Sequence, residues 1–266
     1  MLKLLITSLC LVSAYAHANK IENQPGFWYQ KGSHAIAETQ ALQPVQHQAK
    51  NVILFVGDGM GISTITAARI LEGQRLVDNR GGEEHSLSFE QLPYLALSKT
   101  YSVNQQTPDS APTMSAIISG VKTNDRMLSV DAGIPHGETR AEVVQNHSVK
   151  TLIEQAEEHG LATGIVTTTR ITHATPAACY AHSPERDWES DAQLPAASNL
   201  PDIARQLIEF PYGDGIDVAM GGGRSMFLPK NQADPEEPGQ QGMRKDGQDL
   251  TQRWQNRFTN AAYVYD

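Results

Sequence analysis

The stretch TPDSAPTMSAIISG, residues 107–120, places a carboxylate and a hydroxyl side by side where a helix is expected to begin. Asp109 and Ser110 are followed by apolar residues at helical spacing, and Gly120 is typical of a helix end. Asp and Ser are also the residues preferred at a helix N-terminus, where they cap free backbone N–H groups. Taken alone, the stretch therefore indicates helix capping, and a chemical role for Ser110 needs support from other residues.

A serine hydroxyl is a weak nucleophile at neutral pH unless something removes its proton. The chain has no G-x-S-x-G elbow and no H-E-x-x-H motif, so neither a Ser–His–Asp hydrolase nor a zinc peptidase is indicated. A divalent metal such as zinc can instead lower the pKa of the Ser110 hydroxyl. The helix N-terminus beside it suits an anion such as phosphate, and Arg186 offers a planar fork matched to two phosphate oxygens.

Two further stretches with polar side chains follow segments whose sequence predicts strands. Asp58 lies in GDGMG directly after the apolar run at residues 52–56, and His173 and Thr175 lie in RITHATP after the run at residues 163–169. Asp58 at a strand end suits a metal-binding carboxylate, although Asp between glycines also shapes turns. The glycine spacing matches neither the dinucleotide fingerprint nor the P-loop. His173 is equally compatible with a hydrogen-bonded histidine that only ends a strand.

The elements expected to position these groups alternate along the chain. Apolar runs predict strands at residues 52–56, 95–103, 163–169 and 216–220, and helical patterns predict helices at residues 63–72, 110–120, 148–160 and 201–210. This alternation predicts the α/β class, with a mostly parallel central sheet flanked by helices. Ligands bind beyond the carboxyl ends of parallel strands, so Asp58, Ser110 and His173 are expected to converge at one edge of the sheet.

Several details of these elements are also predicted. The run at residues 52–56 is expected to be buried on both faces, with Ile62, Ile65 and Leu71 of the next helix facing the sheet. Ser148 is expected to cap a helix with an apolar stripe made of Val149, Leu152, Ile153 and Ala156. The final stretch, NAAYVYD, resembles a strand.

Composition limits the possible partners. The 266-residue chain has a formal net charge of -9, which disfavours nucleic acid and requires local positive charge for any phosphate substrate.

The first 18 residues combine Lys3, an apolar run and small residues, which predicts a signal peptide cleaved after Ala16 or Ala18. The protein is therefore expected to be periplasmic or secreted, without a membrane anchor in this chain. Cys179 would be the sole cysteine after cleavage, and we expect it to be a packed residue rather than a nucleophile.

After the predicted signal peptide, residues 19–266 are expected to form one α/β domain, the N-terminal part of a fold that resembles the alkaline phosphatase family. The segments NVILFVGDGMGISTITAARI, TPDSAPTMSAIISGVKTN, TTTRITHATPAACYAHSPERDW and VAMGGGR occur in the family's order and rough spacing. The resemblance extends from about Phe27 to the last residue, and PDSA before a helix together with GDGMG upstream is a specific combination. It implies hydrolysis of phosphate monoesters through a phosphoserine intermediate, with two Zn²⁺ ions and one Mg²⁺ ion as cofactors.

The resemblance also implies roles for individual residues. Ser110 would be the nucleophile, Arg186 would hold the phosphate, and Asp109 would orient that arginine. Asp58 would bridge one zinc and the magnesium, and Ser110 would bind zinc. At the magnesium site, Thr175 would be a ligand and His173 would act through water, whereas Arg170 is expected to be structural.

The zinc ligands mark a departure from the family. The family's later half supplies Asp and His residues for zinc and a Glu for magnesium, and this chain contains no Asp-x-x-x-His motif or Asp–His pair. We therefore expect the chain to be the N-terminal part of such an enzyme. The alternative is a catalytically inactive fragment that binds at most magnesium or phosphate.

Two further expectations concern substrate and assembly. A related metal-dependent hydrolase acting on sulfate esters or phosphodiesters is a third reading, and Ser110 within PDSA argues against it by resemblance. The resemblance also implies a homodimer when full-length, because GFWYQKGSHAIAETQ, residues 26–40, is similar to a segment that embraces the partner.

Overall fold

The computed structural model describes residues 25–43, 47–76 and 82–265, so the signal peptide predicted for residues 1–18 lies outside the described residues. The chain divides into two compact units, and the boundary between them in the sequence lies between Leu97 and Ser98. Within the described residues, no helix has both the length and the hydrophobicity needed to cross a bilayer.

The N-terminal unit contains helices and extended segments. Its described elements are α1 (Pro25–Ala41), α2 (Ile62–Leu76) and a short 3₁₀ turn (Ser88–Gln91). The helix predicted at residues 63–72 is therefore confirmed and is longer than expected. Ile62 and Leu71, which were expected to face a sheet, are largely exposed.

The strand predicted at residues 52–56 is wrong for this structure. These residues are extended but belong to no strand, and their side chains are between 42% and 90% exposed. An apolar run becomes a buried strand only where neighbouring strands pair with its backbone and helices cover its faces. No strand is found among the described residues of this unit, so the run has no sheet to join there.

The C-terminal unit contains the sheet and most of the core. Its described elements are, in chain order, α3 (Ser110–Ser119), α4 (Ala141–His147), α5 (Leu152–Glu158), β1 (Gly164–Arg170), α6 (Ala174–Ala177), α7 (Ile203–Ile208), β2 (Val218–Gly222), a 3₁₀ turn (Arg224–Met226) and α8 (Leu250–Arg257). Strands β1 and β2 are parallel, with Gly164 opposite Val218 and Arg170 opposite Gly222. Helices α6 and α7 lie between them in sequence. The α/β class predicted from the sequence, with a parallel sheet flanked by helices, is confirmed.

Two other predicted strands are not formed. Residues 95–103 and 261–265 are irregular, and Leu95 and Leu97 are almost fully exposed. Their apolar composition is compatible with a strand, but a strand also needs a partner that sequence periodicity alone does not supply.

Helix α3 is anchored in the main core. Its side chains Ala111, Met114 and Ile118 are buried among residues of α6, α7 and the end of β1. Helix α3 packs directly on α5 and α6, and α6 packs on β1. A second apolar cluster includes Met127, Val130, Val144 and Trp188. Packing thus fixes the face of α3 that carries Ala111, Met114 and Ile118.

Helix α5 differs from its prediction. It begins at Leu152, with Thr151 as its cap in a reciprocal capping box with Glu154, and Ser148 instead ends helix α4. The expected apolar stripe is wrong as well, because Leu152 is 53% exposed while Glu154 and Glu157 are buried. Both buried carboxylates accept hydrogen bonds: Glu154 from His182, 28 residues further along the chain, and Glu157 from the nearby Thr163 hydroxyl.

Candidate functional site

The N-terminus of α3 presents Ser110 at its first helical position. Asp109 is the cap, and its Oδ1 accepts a hydrogen bond of 2.6 Å from the Ala111 backbone N–H. Gly120 ends the helix in the left-handed conformation, with φ 76°. The helix boundaries predicted from TPDSAPTMSAIISG are confirmed, and Ser110 lies half-buried where backbone N–H groups and the helix dipole favour an anion.

Arg186 lies next to this helix end. One of its terminal nitrogens is 3.3 Å from Asp109 Oδ1, the same oxygen that caps α3. Its other terminal nitrogen is 3.0 Å from His173 Nε2, and its Nε is 3.9 Å from Asp187 Oδ1. The Arg186 side chain is 14% exposed, so the guanidinium is oriented by contacts rather than extending freely into solvent.

The contact with Arg186 favours one tautomer of a neutral His173 ring. A guanidinium only donates hydrogen bonds, so His173 Nε2 must accept and the proton of a neutral ring must be on Nδ1. In this arrangement neither ring nitrogen offers a free lone pair to a metal. His173 is therefore suited to donate from Nδ1 to a metal-bound water, the indirect role that the resemblance implies.

Thr175 lies two residues after His173, in the first turn of α6. His173 is the N-cap residue of this four-residue helix, and Thr175 is half-buried. The segment is anchored at the end of β1, where Arg170 donates two hydrogen bonds of 2.6 and 2.8 Å to the Glu189 carboxylate. Arg170 thus has the structural contacts expected of it.

A turn at residues 125–126 contacts both α3 and Arg186. Asp125 Oδ1 accepts a hydrogen bond of 3.1 Å from the Asp109 backbone N–H, and the Arg126 carbonyl accepts one of 2.9 Å from the Arg186 N–H. Sequence reasoning missed these two residues. Their partners lie far along the chain, and no local sequence pattern indicates such contacts.

Asp58 belongs to the N-terminal unit, whereas the other five site residues belong to the C-terminal unit. It lies in the turn after residues 52–56, next to Gly59, whose φ of 68° is left-handed. The structure thus brings together Asp109, Arg186 and His173, with Ser110 adjacent to the first of these. The convergence of Asp58 with this group stays a prediction.

The potential metal ligands of this chain suit magnesium better than they suit a pair of zinc ions. Among the described residues, no group of three or more His, Cys, Asp or Glu side chains is placed to hold a metal ion. Zinc sites in proteins use about three or four protein ligands, so the described residues do not fit a zinc pair. The Asp58 carboxylate and the Thr175 hydroxyl are oxygen donors of the kind that magnesium prefers.

Cys179 is a packed residue in this unit, as expected. Its side chain is buried, and burial raises the pKa of its thiol to about 12. At neutral pH it is therefore a protonated thiol, which is neither a good nucleophile nor a metal ligand.

Comparison with known proteins gives a consistent result. The family model described as alkaline phosphatase matches residues 49–266. The tissue-nonspecific alkaline phosphatase of Gallus gallus is 44% identical over 258 residues, which cover 94% of this chain and 48% of that protein. The alkaline phosphatase of Gadus morhua is 44% identical over 246 residues, which cover 90% of this chain and 50% of that protein. The chain thus spans about half the length of the curated relatives it matches.

A solved structure agrees with these sequence matches. The crystal structure of Thermus thermophilus alkaline phosphatase has a TM-score of 0.50 and 29% sequence identity, and the match covers 73% of this chain and 32% of that one. From the sequence match, the fold and the helix-end arrangement of Ser110, Asp109 and Arg186, the chain belongs to the alkaline phosphatase family.

Proposed function

We propose that the protein hydrolyses phosphate monoesters and that Ser110 carries the phosphoryl group as a phosphoserine intermediate. The observation that carries this proposal is the contact between Arg186 and Asp109 at the N-terminus of α3. It puts the guanidinium beside the residue that precedes Ser110, at a helix end whose dipole already favours an anion.

The residues of this chain would act in sequence on the substrate. Arg186 would bind two phosphate oxygens through its planar fork, while Asp109 and His173 hold that fork in place. Attack by Ser110 Oγ forms an oxygen–phosphorus bond and breaks the bond to the alkoxide, which takes up a proton as the serine loses one. Water then breaks the Oγ–phosphorus bond, releases phosphate and restores the hydroxyl.

For the metals, we propose the set that the family resemblance implies: two zinc ions and one magnesium ion. Asp58 and Thr175 would hold magnesium, with His173 donating to a bound water, and magnesium would add positive charge beside the phosphate. Asp58 and Ser110 are the zinc-binding residues expected in this chain. They are too few to hold two zinc ions by themselves, so no step of the reaction is derived through zinc.

The serine assignment is tested in the full-length protein by acid-quenching it during incubation with 4-nitrophenyl phosphate, zinc and magnesium, and mapping phosphorylation by mass spectrometry. We expect a phosphoryl group within residues 107–120 of the wild type and none in Ser110→Ala. Ser119→Ala, at the other end of the same helix, is the matched control and should be labelled like the wild type. Label at another residue, or label that survives in Ser110→Ala, would refute the assignment.

A second candidate function is phosphate binding without turnover. It is favoured by the lack of an Asp-x-x-x-His motif or Asp–His pair in the sequence. Under this reading, the 266-residue chain binds inorganic phosphate in calorimetry but releases no nitrophenol with zinc and magnesium. Turnover that a chelator abolishes would rule this reading out and support the enzyme.

The location follows from the predicted signal peptide, and the assembly follows from the family resemblance. We propose that the protein is exported, through the signal peptide predicted at residues 1–18, and that it forms a homodimer when full-length. Helix α1 contains none of the buried residues and exposes Tyr29, which is compatible with a segment that packs on a partner.

A further inference from the structure

Arg126 makes contacts on both sides of Arg186. Its guanidinium donates hydrogen bonds of 2.7 and 3.2 Å to the two carboxylate oxygens of Glu185 and a further hydrogen bond to Asp187. Its backbone carbonyl accepts the Arg186 N–H at 2.9 Å. A single residue thus contacts Arg186 and both of its neighbours in the chain.

The carboxylate of Glu185 is itself held firmly. It is largely buried, and it also accepts hydrogen bonds from His136 Nε2 at 2.7 Å and from the Asp187 backbone N–H at 3.0 Å. A two-bond contact between Arg126 and this fixed carboxylate has a defined geometry, unlike a single flexible ion pair. The backbone on both sides of Arg186 is thereby restrained.

The backbone of Arg126 has an uncommon conformation. Its φ of 65° is left-handed, a conformation that is strained for a residue other than glycine. Such a conformation persists only where surrounding contacts fix it. Here the preceding residue, Asp125, holds the Asp109 backbone N–H, so the turn joins the cap of α3 to the loop that carries Arg186.

We propose that Arg126 is a positioning residue that sets the direction of the Arg186 guanidinium toward phosphate. This inference rests on the proposed function, because it concerns the same phosphate site. A purely structural ion pair is the competing explanation. The Arg126 side chain is 41% exposed, and ion pairs at such positions contribute little to folding. An ion pair that only stabilised the fold would leave the phosphate affinity of the folded protein unchanged.

The test measures binding of inorganic phosphate to the full chain by calorimetry for Arg126→Gly. Glycine accepts a φ of 65° without strain, so this substitution removes the guanidinium while keeping the turn. We expect the dissociation constant to rise by about threefold to tenfold, with the midpoint of thermal unfolding nearly unchanged. Arg126→Lys keeps the charge but not the fork, and its affinity should be intermediate.

Two further variants separate the possible outcomes. Arg140→Ala is the matched control, because Arg140 also pairs with a carboxylate, Glu138, and is largely exposed; its phosphate affinity should equal that of the wild type. Arg186→Ala should bind more weakly than every other variant. If Arg186→Ala weakens binding and Arg126→Gly does not, the positioning role is overturned while the proposed function stands. If Arg186→Ala binds like the wild type, both fail.

The positioning role of Arg126 can also be tested without a ligand. The Nε–H resonance of Arg186 in a ¹⁵N spectrum should be single and sharp in the wild type, since three side chains orient the guanidinium. In Arg126→Gly it should shift or broaden, whereas Arg140→Ala should leave it in place. An identical resonance in Arg126→Gly and the wild type would overturn the inference.

Discussion

Asp109 serves two purposes through one oxygen. Its Oδ1 caps the first turn of α3 through Ala111 and also contacts Arg186. The capping interpretation and the functional interpretation of PDSA are therefore compatible, because the cap places the carboxylate where the arginine can reach it. The sequence predicted this pair, but it could not predict Arg126, whose partner Glu185 lies 59 residues further along the chain.

His182 is a second residue whose surroundings define its chemistry. Its Nε2 is 2.7 Å from a Glu154 oxygen and its Nδ1 is 2.7 Å from the Ser129 carbonyl oxygen. A carbonyl oxygen and an ionised carboxylate both accept, so this geometry favours a ring that donates from both nitrogens, which is the protonated imidazolium. Burial opposes the charge, but the hydrogen bond to Glu154 and the attraction of its carboxylate outweigh burial and raise the pKa of His182.

This raised pKa predicts how stability changes with pH. Because the folded pKa of His182 is above its unfolded value of about 6.5, the stabilisation is complete below about pH 6.5. It is lost as the pH rises through the folded pKa, which adds a downward slope to the free energy of unfolding. Urea unfolding of the wild type and His182→Gln between pH 6 and 9 should show this slope only in the wild type.

The matched control for this prediction is His159→Gln, since His159 is an exposed histidine at the end of α5. It should retain the wild-type slope. Equal slopes in His182→Gln and the wild type would show that His182 is not charged in the folded protein.

At the scale of elements, the sequence correctly predicted those helices and strands whose formation depends on local interactions. Helix α3 and strand β1 form close to where the sequence predicted them, because a cap, an apolar face and a run of branched residues are all local. Helix α5 was predicted with the wrong inner face. Its buried Glu154 is paired with His182, 28 residues away, and no periodicity reveals such a partner.

The cap of α3 can be tested separately from the charge of its side chain. Asp109→Ala should lower the free energy of unfolding by about 1 kcal/mol, because the Ala111 N–H loses its acceptor. Asp109→Asn should stay within about 0.5 kcal/mol of the wild type, since asparagine caps helices as well as aspartate does. Chemical denaturation measures both values. Equal losses in the two variants would mean that the charge next to Arg186, rather than the cap, stabilises this helix end.

At the scale of the whole molecule, the two units differ in how completely they bury their apolar side chains. The C-terminal unit buries a large cluster that includes Tyr180, Phe210 and Ile203. In the N-terminal unit, the apolar run at residues 52–56 and Leu95 are exposed. Sequence analysis identified the run but assigned it to a buried strand, because periodicity shows that a segment is apolar without showing what covers it.

This exposed run predicts self-association of the chain. Phe55 is 90% exposed, so Phe55→Asp should disturb no packed contact and should reduce concentration-dependent light scattering. Gln145→Asp adds the same charge at an exposed polar position of α4 and serves as the control, which should scatter like the wild type. Equal scattering by Phe55→Asp and the control would show that the run does not drive association.

The oxygen shared by the α3 cap and Arg186 also links ligand binding to local backbone opening. When the first turn of α3 frays, the Ala111 amide loses its acceptor, and the carboxylate that holds the guanidinium moves with it. An anion that needs the guanidinium in place must therefore disfavour fraying. Deuterium uptake at the Ala111 amide should slow when phosphate is present, so the backbone of this turn would itself report whether the site is filled.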